Sequence, residues 1–533
     1  MKKTGLTLLT ALLLVTLVIF GAGTATAAPI PFINNIVPNQ GPIGTPVLIT
    51  GAGGSFGTPD STSSVTFNGV QAQYFSWSDT MGILTQVPTG ATTGPVVVRT
   101  QGVSSNTDKV FTVTGNPIPP IPTAAQTWYL PEGSTAWGFE TFLLMENTTD
   151  IDATVTIIYN TAQYGRIPRP QQLNVPPSSR VTLKVNDDIP NVDLSIEVQS
   201  TQKIVCERSI YWNNRIEGTD SIGTTTPAKS WYLAEGCTTY PFETWVCIQN
   251  PSLTSTANVD ITYMTSHGVV TKPTLTVGAG QRKTLDVSKD VGQCDVSTRL
   301  VSDQNIVCER AMYWDGRRGG HASIGVAAPS KTWYLSEGSS AWGFQTWLLL
   351  QNPNSKAAKV DVTFMTTHGP VKQPTINMGA NTRQTINVNQ RVPNTDTSIA
   401  VSSDIEVNAE RAMYWNNGTG KAGTDTIGFT APSKSIYLAE GSTAWGFETF
   451  VCIQNPNSKP ADVSVTYLTN SGAVAGPGCR VPANSRVTIN VANELPNRDT
   501  SVKLMCSQPI MAERAMYWNN RGGGTASIGW VPQ

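Results

Sequence analysis

Short stretches in which apolar and polar residues alternate recur along the chain, and this period of two predicts β-strands. In the stretch 360–364, Val360, Val362 and Phe364 are separated by polar residues, so their side chains share one face of a strand. The same register recurs three more times, at 155–159, 259–263 and 463–467. No long amphipathic helical pattern appears anywhere in the sequence. The chain is therefore predicted to be all-β.

The strand pattern belongs to a segment that occurs four times in tandem. Each copy opens on the motif Trp-Tyr-Leu-x-Glu-Gly, at Trp128, Trp231 and Trp333, with Ile436 replacing the tryptophan in the last copy. Each copy closes on Glu-Arg-x-x-Tyr-Trp, which begins at Glu207, Glu309, Glu410 and Glu513. Such even spacing indicates one duplicated unit. We name the copies repeat 1 (residues 125–226), repeat 2 (227–329), repeat 3 (330–431) and repeat 4 (432–533).

Each repeat contains about seven or eight strand signals, which is the density of a β-sandwich. We therefore expect tandem immunoglobulin-like β-sandwich domains. A β-propeller formed by the four repeats, with two blades per repeat, would use the same number of strands and is the alternative.

Composition and charge restrict the possible partners. The formal net charge is -1, from 36 basic and 37 acidic residues, and no basic tract occurs. A nucleic-acid partner and a polybasic membrane anchor are therefore not expected. Charged residues make up only 14% of the chain while Gly (46) and Pro (35) are plentiful, which is typical of short strands joined by tight turns.

Residues 1–27 are organised like a secretory signal peptide. Two lysines, Lys2 and Lys3, precede an apolar run over 6–20, and small residues ending at Ala27 form a cleavage site before Ala28. An uncleaved N-terminal anchor is the alternative, given the length of the apolar run. We expect a secreted, extracellular protein, cell-envelope associated or free, with no membrane span after cleavage.

Residues 28–115 form a separate pattern of short apolar stretches bounded by Gly and Pro. The stretch 41–45 reads Gly-Pro-Ile-Gly-Thr and is followed by the apolar strand signal 47–49. This segment resembles an IPT/TIG domain, which implies an immunoglobulin-like fold and a role as an extracellular spacer or binding module, without shared catalytic residues. Residues 116–124 are Pro-rich and are predicted to be a semi-rigid polyproline II linker.

The repeats themselves resemble tandem units of secreted or surface proteins of actinobacterial-type bacteria. The resemblance lies in Trp-Tyr-Leu-Ala-Glu-Gly at 231–236 and Glu-Arg-Ala-Met-Tyr-Trp at 309–314. It implies no activity. Five separate domains in series would give an elongated particle.

Nothing in the sequence supplies the parts of a catalytic or metal site. The three histidines, His267, His321 and His368, lie in turns or a Gly-rich loop, and none stands beside a Ser, a Cys or paired carboxylates. No Cys-x-x-Cys spacing occurs, so no structural metal and no cofactor is expected. The protein is predicted not to be an enzyme.

Four of the eight cysteines stand at positions that carry apolar residues in other repeats. Cys247 and Cys452 align with leucines of the other repeats, and Cys206 and Cys308 align with alanines. A cysteine at such a position behaves as a compact hydrophobic side chain. Repeat 2 holds four of the eight cysteines, so one or two disulfides there are the alternative.

A tryptophan recurs in the loop after the opening motif, at Trp137, Trp342 and Trp445, and repeat 2 has Tyr240-Pro241 there. The favoured interpretation is that this side chain covers the end of its own sandwich. The alternative is that it stacks on a sugar ring or on an aromatic residue of a partner.

The closing strand carries an arginine in a row of apolar residues. These arginines are Arg208, Arg310, Arg411 and Arg514. A buried guanidinium needs acceptors, so each is predicted to bridge to the glutamate of the opening turn of its own repeat, or to backbone carbonyls of that turn. Those glutamates are Glu132, Glu235, Glu337 and Glu440. The alternative is an exposed arginine that lies over the neighbouring Trp ring.

Together these features predict a non-enzymatic, secreted or cell-envelope-associated protein that acts as a structural or adhesive stalk. The alternative is a polysaccharide-binding accessory protein that holds its ligand on the repeated Trp loops. The expected partner is a cell-wall or extracellular polysaccharide, or a surface protein. The sequence predicts neither the oligomeric state nor the ligand.

Overall fold

The computed structural model describes residues 30–532, except residues 44, 52–55, 73, 79–81, 89, 115–125, 170, 417, 419 and 420. The predicted signal peptide and the predicted Pro-rich linker at 116–124 lie outside the described residues. No helix among the described residues is long and apolar enough to cross a membrane.

The N-terminal domain consists of two sheets that face each other across one apolar core. Its strands are β1 (Ile33–Val37), β2 (Gln40–Gly41), β3 (Pro46–Gly51), β4 (Ser64–Phe67), β5 (Val70–Ala72), β6 (Tyr74–Ser78), β7 (Gly82–Gln86), β8 (Gly94–Thr100), β9 (Val103–Ser104) and β10 (Val110–Val113). One sheet has the order β1-β3-β7-β6, and the other has the order β2-β10-β8-β4-β5 with β9 paired to β8. Val47, Phe67, Val96 and Phe111 are fully buried between them.

Repeat 1 also consists of two sheets. Its strands are β11 (Gln126–Leu130), β12 (Glu140–Asn147), β13 (Ala153–Thr161), β14 (Gly165–Pro168), β15 (Leu173–Val175), β16 (Ser179–Lys184), β17 (Leu194–Ser200), β18 (Ile204–Trp212) and β19 (Glu217–Ile222). The order β11-β17-β13-β14, with β15 paired to β13, defines the outer sheet, and the order β16-β12-β18-β19 defines the inner sheet. A 3-10 turn at Val185–Asp187 follows β16.

Repeats 2, 3 and 4 have the same two sheets. Repeat 2 contains β20 (Ala228–Leu233), β21 (Phe242–Gln249), β22 (Ala257–Thr265), β23 (Gly268–Val277), β24 (Arg282–Asp286), the short helix α1 (Ser288–Val291), β25 (Val296–Trp314) and β26 (Gly319–Ile324). Repeat 3 contains β27 (Ser330–Leu335), β28 (Gln345–Asn352), β29 (Ala358–Thr366), β30 (Gly369–Lys372), β31 (Ile376–Met378), β32 (Thr382–Asn387), β33 (Thr397–Asn416) and β34 (Lys421–Ile427). Repeat 4 contains β35 (Ser433–Leu438), β36 (Glu448–Asn455), β37 (Ala461–Thr469), β38 (Gly472–Ala475), β39 (Cys479–Val481), β40 (Ser485–Asn490), a 3-10 turn (Val491–Asn493), β41 (Ser501–Trp518) and β42 (Gly523–Ile528).

In these three repeats one long strand, β25, β33 or β41, takes part in both sheets, so its first half lies in the outer sheet and its second half in the inner sheet. The two sheets of a repeat pack against each other across a common core. In repeat 3 this core joins Val362 and Val401 of the outer sheet to Leu348 and Ile386 of the inner sheet, all of them buried. The predicted all-β sandwich fold is confirmed. A propeller with two blades per repeat does not describe the repeats, because the two sheets of one repeat face each other instead of standing as separate blades.

The four repeats close into a ring. The tryptophan that ends each closing motif donates its indole N–H to a backbone carbonyl of the next repeat, and the last one donates back to repeat 1. The four bonds are Trp212 to Arg317 (2.7 Å), Trp314 to Lys421 (2.5 Å), Trp415 to Arg521 (2.7 Å) and Trp518 to Ile216 (3.0 Å).

The last strand of each inner sheet lies at the centre of this ring. Strands β19, β26, β34 and β42 contact one another in cyclic order, including β42 with β19. Thr219 accepts the backbone N–H of Ala322 at 2.7 Å, and Thr525 accepts that of Asp220 at 2.8 Å. An elongated series of four separate domains is therefore wrong for the repeats.

All eight cysteines are free, including the four of repeat 2. Cys206, Cys247, Cys308 and Cys452 are buried, as expected for cysteines that replace apolar residues.

Candidate ligand clefts at the repeat junctions

Each junction is held by the glutamate of one closing motif, which reaches into the opening turn of the preceding repeat. The carboxylate accepts a backbone N–H of that turn, and the same contact occurs at all four junctions. The bonds run from Glu132 to Glu309 (3.3 Å), from Glu235 to Glu410 (2.8 Å), from Ser336 to Glu513 (2.5 Å) and from Ala439 to Glu207 (2.8 Å). The glutamate of the closing motif thus joins neighbouring repeats by a hydrogen bond.

The four arginines of the closing motif are at most 1% exposed, so the alternative of an exposed arginine over a Trp ring is wrong. In repeat 3, Arg411 Nη2 lies 2.9 Å from Glu337 of its own opening turn and 3.1 Å from Glu513 of repeat 4. In the other repeats the ion pairs of this arginine, within the described part of the chain, join it to the next repeat. They join Arg208 to Glu309 (3.1 Å), Arg310 to Asp425 (2.5 Å), and Arg514 to Glu207 (3.3 Å) and to Asp220.

The remaining opening-turn glutamates have other partners. Glu440 pairs with Arg180 of repeat 1 at 3.0 Å, and Glu132 pairs with Arg282 of repeat 2 at 3.3 Å. Glu235 is buried beside Arg310. These three glutamates therefore also lie at junctions between repeats.

Burial shifts the titration of the junction carboxyls upward. It raises the pKa of Glu207 and of Glu410 to about 8, although a nearby arginine acts against the shift in each case. Burial likewise raises the pKa of Glu235 and of Glu513 to about 7. These groups are enclosed by protein and hold the ring together.

His321 is also enclosed at a junction. Its Nε2 lies 3.1 Å from the Tyr414 hydroxyl, and its Nδ1 lies 3.1 Å from Arg310. Burial, followed by the charge of Arg310, lowers the pKa of His321 well below its usual value, so the ring is neutral. No group of three potential ligand residues within the described part of the chain could hold a metal ion.

The Trp loops are exposed corners of the ring. Trp137, Trp342 and Trp445 are 81%, 80% and 85% exposed, so the favoured interpretation that they cover their own sandwich is wrong. Each tryptophan has a φ of 57–58°, which a bulky residue rarely adopts. The turn is fixed on both sides, because the Phe after the Trp-Gly pair donates its backbone N–H to the preceding Ala at 2.9 Å. The loop thus holds a large aromatic side chain in solvent.

Each exposed tryptophan stands at the edge of a cleft that the next repeat completes. One repeat supplies the Trp, a Glu and an Asp, and the next supplies an aromatic residue and two arginines. Cleft A, of about 370 Å³, is lined by Trp137, Glu132, Asp193, Trp245, Arg282 and Arg317. Cleft B, of about 140 Å³, is lined by Trp342, Glu337, Asp396, Phe450, Arg486 and Arg521. Cleft C, of about 370 Å³, is lined by Trp445, Glu440, Asp499, Phe142, Arg180 and Arg215.

The lining charges balance in every cleft, since two arginines face two carboxylates. The outer arginine of each cleft lies over the aromatic residue, with 5.5–5.9 Å between the guanidinium carbon and the ring centre. It also pairs with a glutamate of the same strand as that aromatic residue, as Arg521 does with Glu448 at 3.1 Å. Each cleft therefore offers an apolar face together with both donors and acceptors.

The junction of repeats 2 and 3 differs from the other three. Tyr240, which is 84% exposed, replaces the tryptophan, and Gly418 stands where the outer arginine is found elsewhere. Lys421 lies over the rings of Phe242 and Tyr414, at 5.5 and 5.4 Å.

Sequence reasoning identified the three tryptophans but missed the arginines and aspartates that complete the clefts. The aspartates belong to no recognisable motif, and the arginines come from a different repeat. Their regular recurrence at equivalent positions of the repeats was the available signal.

Comparisons with known protein families match two parts of the chain. The IPT/TIG domain model matches residues 31–113, and a family of unknown function (DUF5719) matches residues 302–428. No curated protein matches the chain.

Several solved structures show a weak likeness. Thermotoga maritima 1070 has 16% identity and a TM-score of 0.18, over 19% of this chain and 94% of that one. The Anabaena sensory rhodopsin transducer has 17% identity and a TM-score of 0.15, over 16% of this chain and 95% of that one. The Bacteroides ovatus protein SGBP-B, in complex with a mixed-linkage heptasaccharide, has 12% identity and a TM-score of 0.17, over 53% of this chain and 75% of that one. Scores this low support no inference about function.

Proposed function

We propose that the ring of repeats is a secreted or cell-surface carbohydrate-binding module, which holds neutral glycans in clefts A, B and C. The observation that supports this most directly is the set of three tryptophans that are at least 80% exposed, each beside an equivalent cleft. An exposed indole contributes nothing to the core of its own repeat. It is available to a ligand with an apolar face.

The chemistry of the clefts suits a pyranose ring. The C–H face of a sugar packs on an aromatic side chain, while its hydroxyls need both donors and acceptors. Cleft A provides Trp137 and Trp245 as the apolar surfaces, and Arg282 and Asp193 as donor and acceptor. Because the guanidinium and carboxylate charges balance, an anionic ligand gains no net attraction. We therefore expect a neutral glycan.

Three clefts on one ring would act together on a polymer. A polysaccharide that occupies one cleft raises the local concentration of sugar at the next, so weak single sites give a higher overall avidity. This arrangement favours capture of an extended or clustered glycan over tight binding of a free sugar. We therefore prefer the carbohydrate-binding role to the extended stalk expected from the sequence, because the four repeats close into a ring.

The clefts support binding rather than catalysis. A glycosidase needs one carboxyl that donates a proton and a second that is free to act as base or nucleophile. In clefts A and C the glutamate is paired with a buried arginine, Arg282 or Arg180, at 3.3 and 3.0 Å. We infer that the protein is not an enzyme and that it acts outside the cell, in line with the signal-like residues 1–27.

The test is retention on insoluble polysaccharides and on a glycan array, with the mature chain and a variant in which Trp137, Trp342 and Trp445 are all alanine. Loss of one aromatic contact costs about 0.5–1.5 kcal/mol, so the triple variant should bind a polymer at least tenfold more weakly. Its melting temperature should stay that of the wild type, because the three side chains are exposed.

The matched control is Tyr240→Ala, which removes an equally exposed aromatic residue from the junction that lacks the outer arginine. This variant should bind like the wild type. Binding should also change little between about 50 and 500 mM salt, since the ligand is neutral. Undiminished binding by the triple variant would show that the clefts are not the binding sites. No retention on any glycan would refute the carbohydrate-binding proposal as a whole.

A further inference from the structure

Repeat 3 contains a cavity of about 360 Å³ between its two sheets, and its lining shares no residue with clefts A, B and C. Its inner wall is apolar and is formed by the buried Val362, Phe364 and Ile386. Side-chain amides, including that of Gln373, and the guanidinium of Arg391 lie at its mouth. The cavity therefore combines an apolar interior with a polar and positively charged entrance.

The same place in the other repeats is bridged by an internal hydrogen bond. The Tyr159 hydroxyl donates to Asp188 at 2.5 Å, and the Tyr263 hydroxyl donates to Asp290 at 2.7 Å. In repeat 4, Tyr467 donates to Glu494 in the same way. A tyrosine of the outer sheet is thus joined to a carboxylate that follows the inner sheet.

A cation completes this group in repeats 1 and 2. Arg169 lies 2.7 Å from Asp188, and Lys272 lies 2.5 Å from Asp290. The carboxylate therefore bridges a hydroxyl and a positive charge. Both of its partners are satisfied within the repeat.

Repeat 3 has changed all three members of this group. Phe364 replaces the tyrosine, Gln373 replaces the cation and Arg391 replaces the carboxylate. The equivalence is structural: the backbone N–H of Arg391 donates to Val388 as that of Asp188 does to Val185, and Gln373 donates to Val362 as Arg169 does to Ile157. The internal carboxylate has been lost and a guanidinium stands in its place.

Neither new polar side chain finds a partner within the repeat. The side chains of Arg391 and Gln373 make no hydrogen bond or ion pair with any residue that the structure describes. Arg391 is exposed, whereas the aromatic ring of Phe364 is fully buried at the base of the cavity. The Arg391 guanidinium and the Gln373 amide both offer N–H donors, and a carboxylate could accept hydrogen bonds from both.

We propose that this cavity binds a small organic carboxylate with an apolar body. The carboxylate would accept hydrogen bonds from the Arg391 guanidinium and the Gln373 amide, and the apolar body would pack on Phe364 and Ile386. The ligand would thus restore from outside the carboxylate that the sister repeats carry in the chain. Binding of this kind is charge-assisted and weakens as salt is added.

The experiment measures binding of two probes, 3-phenylpropionate and its neutral amide 3-phenylpropionamide, to the mature chain by ligand-observed NMR titration. The acid should bind saturably and at least tenfold more tightly than the amide. The double variant Phe364→Tyr/Arg391→Glu rebuilds the Tyr–Glu pair of repeat 4, so it should fold and should lose at least tenfold in affinity for the acid. Arg391→Gln, which changes only the entrance, should lose affinity in the same way if the double variant does not fold.

The triple Trp variant serves as the second control, because the cavity is independent of the clefts. It should bind the acid like the wild type, whether or not the clefts bind glycans. No saturable binding of the acid, equal affinity for acid and amide, or unchanged affinity in both Arg391 variants would overturn the proposal.

Discussion

Replacing Arg514 by methionine should destabilise the contact that closes repeat 4 on repeat 1. Arg514 is fully buried, its Nη2 lies 3.3 Å from Glu207 of repeat 1, and it also bonds to Asp220. Methionine fills a similar space but leaves the Asp220 carboxylate and the buried carboxyl of Glu207 in a low-dielectric junction without their cation. Breaking a buried ion pair from one side costs about 3–5 kcal/mol, and we expect a loss of that order at pH 7.

The chain itself provides the matched control. In repeat 2, Ala322 stands at the position of Asp220, and the equivalent arginine of the preceding repeat, Arg208, has Glu309 as its ion-pair partner. Asp220→Ala should therefore be milder than Arg514→Met. The double variant Asp220→Ala/Arg514→Met should recover about 1–2 kcal/mol relative to Arg514→Met, because one stranded carboxylate is gone.

The assay is urea unfolding followed by Trp fluorescence, with melting temperature as a second measure. Trp518 and Trp212 lie in the junctions and report directly on them. The reasoning would be refuted if Arg514→Met cost less than about 1 kcal/mol, or if Asp220→Ala were as damaging as Arg514→Met.

Three further results are expected. Burial raises the pKa of Glu207 and Glu410 from 4.5 to about 8. The stability that this shift contributes is complete below the unfolded pKa and is lost as the pH rises through about 8. Melting temperatures that rise between pH 5 and 8.5 would contradict this expectation. Glu146 is buried with both carboxyl oxygens unpartnered, whereas Gln351, its equivalent in repeat 3, donates to the Thr298 carbonyl at 3.1 Å. Glu146→Gln should therefore raise the free energy of unfolding by about 1 kcal/mol at pH 7.5. A lowered melting temperature would count against this. Small-angle scattering of residues 126–533 should give a radius of gyration near the globular value of about 22 Å, whereas a clearly larger radius would indicate an open chain of domains.

The strands were predictable because their signal is local. Val362 alternates with polar neighbours, and the structure buries it in the core as this period requires. The ring was not predictable in the same way. Its closure depends on pairs such as Arg514 with Asp220, which are far apart in sequence and leave no periodic signal.

The candidate site was predicted in part for a related reason. The motif identified Trp137 as a loop residue, but whether its side chain is buried or exposed depends on the conformation of the turn that carries it. Trp137 and Gly138 both have positive φ, at 58° and 82°, and this turn directs the indole into solvent. The sequence pattern Ala-Trp-Gly-Phe is compatible with such a turn but does not require it. The arginines of the cleft come from the next repeat, so they become part of the site only through ring closure.

The central claim is tested most directly by a crystal structure of the mature chain with an oligosaccharide of a glycan that it retains. We predict sugar rings stacked on Trp137, Trp342 and Trp445, with hydroxyls in hydrogen-bond contact with the arginines and aspartates of clefts A, B and C. A glycan bound on the N-terminal domain or on another face of the ring, with the three tryptophans free of ligand, would contradict the proposal.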